Sequence, residues 1–216
     1  MRVPVAAGLA VLALALVATQ LVLPGVAAER LRDELAPTGR VTHARVEALP
    51  ALKLLFGRAD RVEVRLADAR AATGEVAGLL DSTRRTGELD ARVDTLHLGP
   101  LTLRDLRLRK AGTGLDAEAA VTEADLAAAL PVDVGLRPVA AGGGTLVLEA
   151  TAPALGSTVA VRARLSARDG ALVIAPDGLL GGFASLRLFE DPRVRVTGVG
   201  ARTRPGGFTL TVRGRL

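Results

Sequence analysis

The 216-residue sequence predicts a single α+β domain in which one bent antiparallel sheet dominates and a few short helices cover it. Three observations predict that class. Apolar and charged residues alternate with a period of two along most of the chain, the pattern of strands with one face in the core and one in water. Turn sequences rich in Gly and Pro separate those runs, and three short segments switch to helical spacing with start and stop signals of their own. No stretch beyond residue 28 is long and featureless enough to be a linker, so residues 29–216 read as one domain.

The chain opens on Met1-Arg2 and then runs uncharged from Val5 to Ala18, with Leu21-Val22-Leu23 and the breaker pair Pro24-Gly25 after it. Two readings fit residues 1–28. As a signal peptide the segment has a basic start, an apolar stretch of suitable length, and Val26 and Ala28 flanking a cut after Ala28. As an anchor, Val5 to Leu23 would span about 28 Å as a helix, close to the roughly 30 Å hydrocarbon core of a bilayer. Either way Arg2 favours the cytoplasmic side, so the body is expected outside the cytoplasm, in the cell envelope or secreted.

From Ala27 to Ala36 the leucines Leu31 and Leu35 stand four apart among charges, which predicts a short amphipathic helix closed by Pro37. Arg40 to Ala48 reads as a first strand, and Leu49 to Gly57 as an apolar corner or helical turn. Val62, Val64 and Leu66 then alternate with Arg61, Glu63 and Arg65 on a second strand. Gly74 to Ser82 carries Val76, Leu79 and Leu80 and predicts a second helix. Thr122 to Leu130 predicts a third, with Thr122 as cap, Asp125 at the third helical position, Val121 poised to staple against Leu126, and Pro131 as the stop. Later strands alternate in the same way: Val159, Val161, Ala163 and Leu165; Val194 and Val196; Phe208, Leu210 and Val212. Parity slips within Leu89 to Leu98 and between Leu103 and Leu106, which predicts bulges that bend the sheet. Turns fall at Gly99-Pro100, Gly112-Thr113-Gly114, Gly142-Gly143-Gly144, Asp169-Gly170 and Pro205-Gly206-Gly207, giving eight or nine strands and three helices. Val62, Val64, Leu66, Val159, Val161, Leu210 and Val212 should all turn toward the helices.

Composition narrows the function classes. There is no Cys, Trp, Tyr or Asn, which removes disulfides, thiolate metal sites and cysteine nucleophiles, and leaves few groups for stacking on sugars or bases. The net charge of +5 is spread along the chain, a poor match to nucleic acid and a better one to an anionic membrane surface. His43 and His97 stand far apart on strands, and none of the four serines Ser82, Ser157, Ser166 and Ser185 sits in a nucleophile elbow. Gly142 to Gly144 and Gly178 to Gly182 lack the Lys-Ser/Thr of a phosphate loop. The basic groups Arg104, Arg107, Arg109 and Lys110 on one strand and Arg162, Arg164 and Arg168 on another, with Arg84-Arg85 in a connector, read chiefly as wet strand faces, and as a minority reading as contacts to lipid phosphates, for which Arg offers a planar donor fork. No enzymatic activity and no cofactor are expected. The competing readings are an envelope scaffold that binds a protein through a sheet edge and a hydrolase that pairs one of the serines with His43 or His97.

The order of these features resembles the LmeA-like phospholipid-binding family of actinobacterial cell envelopes. The resemblance rests on the leader running into Ala-Glu-Arg-Leu-Arg-Asp-Glu-Leu (Ala28 to Leu35), on the Pro-containing corner Leu49 to Gly57 leading to the strand Arg58 to Ala69, and on Val121-Thr122-Glu123-Ala124-Asp125-Leu126 followed by Ala127 to Leu130. Where that family's corner usually carries aromatics, as in Phe-Pro-Phe, this chain has Leu49-Pro50-Ala51. The resemblance implies an extracytoplasmic phospholipid binder with half of a BPI-like tubular fold, a curved sheet wrapped around a helix with acyl chains between them. The residue pattern agrees, because three short helices with few large side chains leave a lipid room to complete the core. Leu52, Leu55 and Phe56 at the corner, and Leu126 and Leu130 on the third helix, are the expected acyl contacts. The sheet residues Val62, Val64, Leu66, Val159, Val161, Leu210 and Val212 should line the same space.

Overall fold

The computed structural model describes residues 20, 22–99, 101–128, 135–142, 145–154, 157–177 and 185–216. It is an α+β fold made mostly of strands. Helix α1 (residues 22–35) leads into β1 (Gly39–Glu47), a 3₁₀ turn (Ala51–Phe56) and β2 (Ala59–Ala71). Helix α2 (Thr73–Ser82) then carries the chain back to β3 (Thr86–Leu98), from which β4 (Leu101–Ala111) and β5 (Gly114–Thr122) follow as hairpins. After α3 (Glu123–Ala128) come β6 (Gly135–Gly142), β7 (Thr145–Ala154), β8 (Ser157–Arg168), β9 (Ala171–Pro176) and β10 (Leu186–Phe189). The chain ends on β11 (Arg195–Arg204) and β12 (Gly207–Arg215). Among the described residues no helix is long and apolar enough to cross a membrane.

The strands form a seven-stranded sheet in the order β1-β2-β3-β4-β5-β12-β11 and a five-stranded meander, β10-β9-β8-β7-β6. The meander is inserted between β5 and β11 and packs over β11 and β12. Two expectations are corrected here. The described strands number twelve, and β2 pairs with β3 in parallel, because α2 returns the chain to the end of the sheet from which β2 began. Every other pairing is antiparallel. The turn sequences Gly112-Thr113-Gly114, Asp169-Gly170 and Pro205-Gly206-Gly207 fall where expected, between paired strands, while Pro100, Gly143 and Gly144 lie outside the described residues; Asp169 and Gly170 both take positive φ (54° and 82°), the requirement of a two-residue hairpin turn whose twist matches its strands.

The parity slips have an origin more specific than expected. Inward residues pass from Leu66 to Ala69 on β2 and from Val93 to Leu96 on β3, with Leu103 and Leu106 packed on the same cluster from β4. Yet β3 keeps unbroken register with both neighbours. Three strands therefore slip together, and the bulges fall where this trio meets its outer neighbours, β1 and β5. One lies between β1 and β2 near Val41, and another between β4 and β5 where Asp105 takes φ 52°.

One face of the large sheet is covered throughout. Leu31 and Leu35 of α1 lie on Val62, Val64, Leu66 and Val93. Helix α2 follows with Val76, Ala77 and Leu80 against Leu108 and Leu115, while Leu79 turns outward, 39% exposed. Over β5, β11 and β12 the cover is the small sheet, whose Leu146, Leu148 and Leu165 meet Val121, Val196, Val199 and Phe208. Leu210 and Val212 belong to this inter-sheet core, so they face strands and not helices as the alternation had suggested. The opposite face is wet and charge-paired: Arg61 with Glu88, Arg92 with Asp90 at 3.3 Å, Arg109 with Asp90 at 3.9 Å and Arg213 with Asp116 at 3.9 Å. Exposed pairs of this kind add little stability, about 0–1 kcal/mol each. Lys110, expected on that face, turns inward between Leu89 and Leu115, and its ammonium donates to the carbonyl of Thr86. Burial lowers its pKa.

The turn before β11 is tied to α2. The Asp191 carboxylate accepts hydrogen bonds from the backbone N–H, Nε and Nη2 of Arg193 at 2.9, 2.8 and 2.8 Å, and Nη2 also donates to the carbonyl of Gly74 at 3.2 Å. The Arg193 guanidinium, then its N–H, hold the Asp191 carboxyl at about 2, below its ordinary 3.8. A folded pKa below the unfolded one gives stability that is complete above the unfolded value and is lost as pH falls through the folded one. Acid titration from pH 5 to 2 should therefore lower the amide protection factors of Thr73–Ser82, exchange being compared with the intrinsic rate at each pH, and Asp191→Asn should remove that dependence while leaving protection lower at neutral pH.

Candidate functional site

The corner between β1 and β2 is an apolar surface built on a fixed frame. The Leu49–Pro50 peptide bond is cis, and Ala51 is fully buried, its N–H donating to Oε1 of Gln20 at 3.1 Å. The 3₁₀ turn closes at Gly57 (φ 65°), a left-handed position that suits glycine, with the Gly57 N–H donating to Leu54 and the Arg58 N–H to Lys53. Asp60, the second residue of β2, clips the two ends together. Its carboxylate accepts the Leu49 N–H at 2.6 Å and the Lys53 ammonium at 2.9 Å. The Leu49 N–H first, and Lys53 second, hold that carboxyl below the ordinary carboxylate range. On this frame Leu49 (76% exposed), Leu55 (64%) and Phe56 (70%) stand in solvent, with Leu52 partly exposed.

Beside the corner, α1 and the second half of β1 enclose an open groove of about 560 Å³. Gln20, Pro24, Gly25 and Ala28 form the helix side, Ala44, Val46 and Ala48 the floor, and Leu49 the end at the corner. Glu29, Arg32, Arg45 and Glu47 also line it, Arg45 bonded to Glu47 at 2.8 Å and Arg32 Nη2 lying 3.5 Å from the carbonyl of Ala44 on the floor. Its size falls within the range of roughly 300–1,000 Å³ of small-molecule sites. The groove exists because the residues facing each other are small: Gly25 and Ala28 on one helical face, Ala44 and Ala48 on the strand. The described helix runs unbroken from 22 to 35 through Pro24 and Gly25, with Ala28 buried, so residues that read as an export signature also form a wall of the groove.

The expected site residues divide into separate places. Leu52, Leu55 and Phe56 share the exposed corner. Val62, Val64 and Leu66 lie beneath α1, with Val64 and Leu66 buried. Leu210 and Val212 lie between the sheets, and Val161 on β8 is 41% exposed. Leu126 is on α3, at the opposite end of the large sheet from the corner; its side chain, together with Val159's and all of Leu130, lies outside the described residues. The cap expected there is present: Thr122 Oγ1 accepts the Asp125 N–H at 3.0 Å and donates to its carboxylate at 2.7 Å, with Arg104 Nε 3.3 Å from the same carboxylate. The corner and the α3 end are thus not one contact surface. The groove-lining Gly25, Ala28, Ala44, Val46 and Ala48 went unread as site residues, although their spacing on a helix and a strand places them on facing surfaces.

Two of the polar side chains that could serve catalysis, His97 and Ser82, have structural partners. His97 shares a hydrogen bond with Thr102 (Nδ1 to Oγ1, 3.3 Å) and lies 3.6 Å from Asp68, while the Ser82 hydroxyl donates to the carbonyl of Leu79. The arginines Arg84, Arg104, Arg109, Arg162 and Arg164 are each paired with a carboxylate.

No curated protein and no solved structure matches the chain. A family model described as LmeA-like phospholipid-binding matches residues 14–213, nearly its whole length. A domain with a groove that is floored by alanine and valine and ends at an exposed apolar corner fits that description, and the chain belongs to the LmeA-like phospholipid-binding family.

Proposed function

We propose that the protein is a non-enzymatic, extracytoplasmic phospholipid binder of the cell envelope that holds an acyl chain in the groove between α1 and β1. The observation that carries this reading is the groove itself: a floor of alanine and valine, opening beside exposed leucines, in a member of a phospholipid-binding family. The uncharged run after Arg2 supports the location outside the cytoplasm.

The driving force is transfer of methylenes out of water, about 0.8 kcal/mol each, so ten give on the order of 8 kcal/mol before ordering costs. A groove arginine near an anionic head group adds only about 1 kcal/mol. Binding should follow acyl-chain length more than head-group identity, and should persist at high salt. Mass spectrometry of organic extracts from the purified protein tests this directly. Phospholipid retained through a high-salt wash is the expected result. An extract without lipid, together with no uptake from vesicles, would refute the reading.

A further inference from the structure

We propose that the corner Leu49–Phe56 is a bilayer-docking tip, which enters the interfacial region of a phospholipid membrane and brings the open end of the groove against the leaflet. This rests on the groove reading above and deepens it by naming the surface from which the lipid is drawn.

Four large apolar side chains are exposed within eight residues here, and Val22 (60%) and Val26 (41%) add two more on the first turns of α1. Together they make six of the nine exposed large hydrophobic residues among the described ones. Scattered exposed leucines are ordinary, but a cluster marks a contact surface. The cluster is also held out rigidly: Asp60 ties Leu49 to Lys53, Gly57 closes the turn, and Gln20 binds Ala51.

Two further observations select a membrane as the occupant. In sequence, the uncharged run Val5–Ala18 ends two residues before Gln20, whose side chain is bonded to the corner, so the most lipid-compatible part of the chain joins the fold at this point. The charges also suit an interface. Lys53, the single charged residue from Ala48 to Gly57, is neutralised by Asp60, and the exposed Arg58 follows immediately, where a guanidinium can meet phosphates. At the other end of the sheet the β11–β12 hairpin presents Arg202, Arg204 and Pro205, a polar surface without such a cluster.

The absence of tryptophan makes the test simple. Full-length Phe56→Trp and Pro205→Trp proteins, each with one tryptophan, are mixed with phosphatidylcholine–phosphatidylglycerol vesicles whose acyl chains carry bromine, a contact quencher. Docking predicts that emission from position 56 shifts to the blue and falls by about half or more, as for side chains about 5–10 Å into the headgroup–acyl boundary, while emission from position 205 is unchanged. Equal quenching at both positions, or none at 56, overturns the proposal, because bromine on acyl chains quenches only by contact, and a corner merely held near the surface by the preceding run does not reach it. A second variant, Leu55→Asp with Phe56→Asp, alters two exposed side chains and should slow phospholipid transfer from vesicles about tenfold or more, with an unchanged thermal unfolding transition as the check on folding. Unchanged transfer also overturns docking. Absence of bound lipid from the wild-type protein counts instead against the groove, and the quenching contrast between 56 and 205 still reads the tip.

Discussion

Gly25→Phe should abolish most phospholipid binding while leaving the fold intact. Gly25 lies on α1 and lines the groove, and a Cβ placed on it meets no heavy atom within 4 Å. Glycine in a helix interior is less favourable than other residues, so the substitution costs no helix propensity and relieves a little of that penalty. A benzyl group in an apolar groove excludes part of an acyl chain. If it displaces four methylenes at about 0.8 kcal/mol each, affinity falls by about 3 kcal/mol, or roughly a hundredfold. Gly25→Ala, which adds one methyl, should bind nearly as the wild type. The comparison reads vesicle uptake and extracted lipid, with thermal unfolding as the check on folding. Wild-type uptake by a folded Gly25→Phe protein would exclude the groove as the lipid site.

Much of the architecture is legible in the sequence because alternation reports burial directly. Val62, Val64 and Leu66, and Val194, Val196 and Phe208, face the core as their spacing says. What alternation leaves open is the identity of the cover. Leu210 and Val212 look the same whether a helix or a second sheet lies over them, and the answer depends on β6 to β10 folding back over β11 and β12. Parallel pairing of β2 with β3 is hidden for a related reason. Parallel strands usually sit between two helical layers and read as continuous apolar runs, whereas these have one wet face and alternate like antiparallel strands.

The candidate site divides along the same line. The corner is legible because large apolar residues are present: Leu49, Leu52, Leu55 and Phe56 in a short segment punctuated by Pro50 and Gly57. The groove is not, since what makes it is the smallness of Gly25, Ala28, Ala44 and Ala48, and small residues in this alanine-rich chain carry little signal. Near the N-terminus the same residues also satisfy the pattern of a cleavage site. Only the pairing of α1 with β1 gives that smallness a consequence.

Two phenylalanines make the contrast between core and corner measurable. Phe208 is 2% exposed, pairs across the strands with Val121, and packs with Val196, Val199, Leu146 and Leu148 where the two sheets meet. Removing a buried benzyl group costs about 3–5 kcal/mol, since the lost transfer energy adds to the cavity left behind. Against a typical total of about 5–15 kcal/mol that is a large fraction. For a chain of this size it should lower Tm by roughly 6–20 °C, and the small sheet should loosen with it. Phe56 is 70% exposed, so the same replacement there should stay within about 0.5 kcal/mol of wild type. Denaturant unfolding of Phe208→Ala and Phe56→Ala measures both. The expected outcome is a large loss for the first with vesicle docking intact in the fraction that folds, and no loss for the second with docking weakened. If Phe56→Ala were the more destabilising, the corner would be part of the core, and its exposed side chains could not be what the protein offers to a membrane.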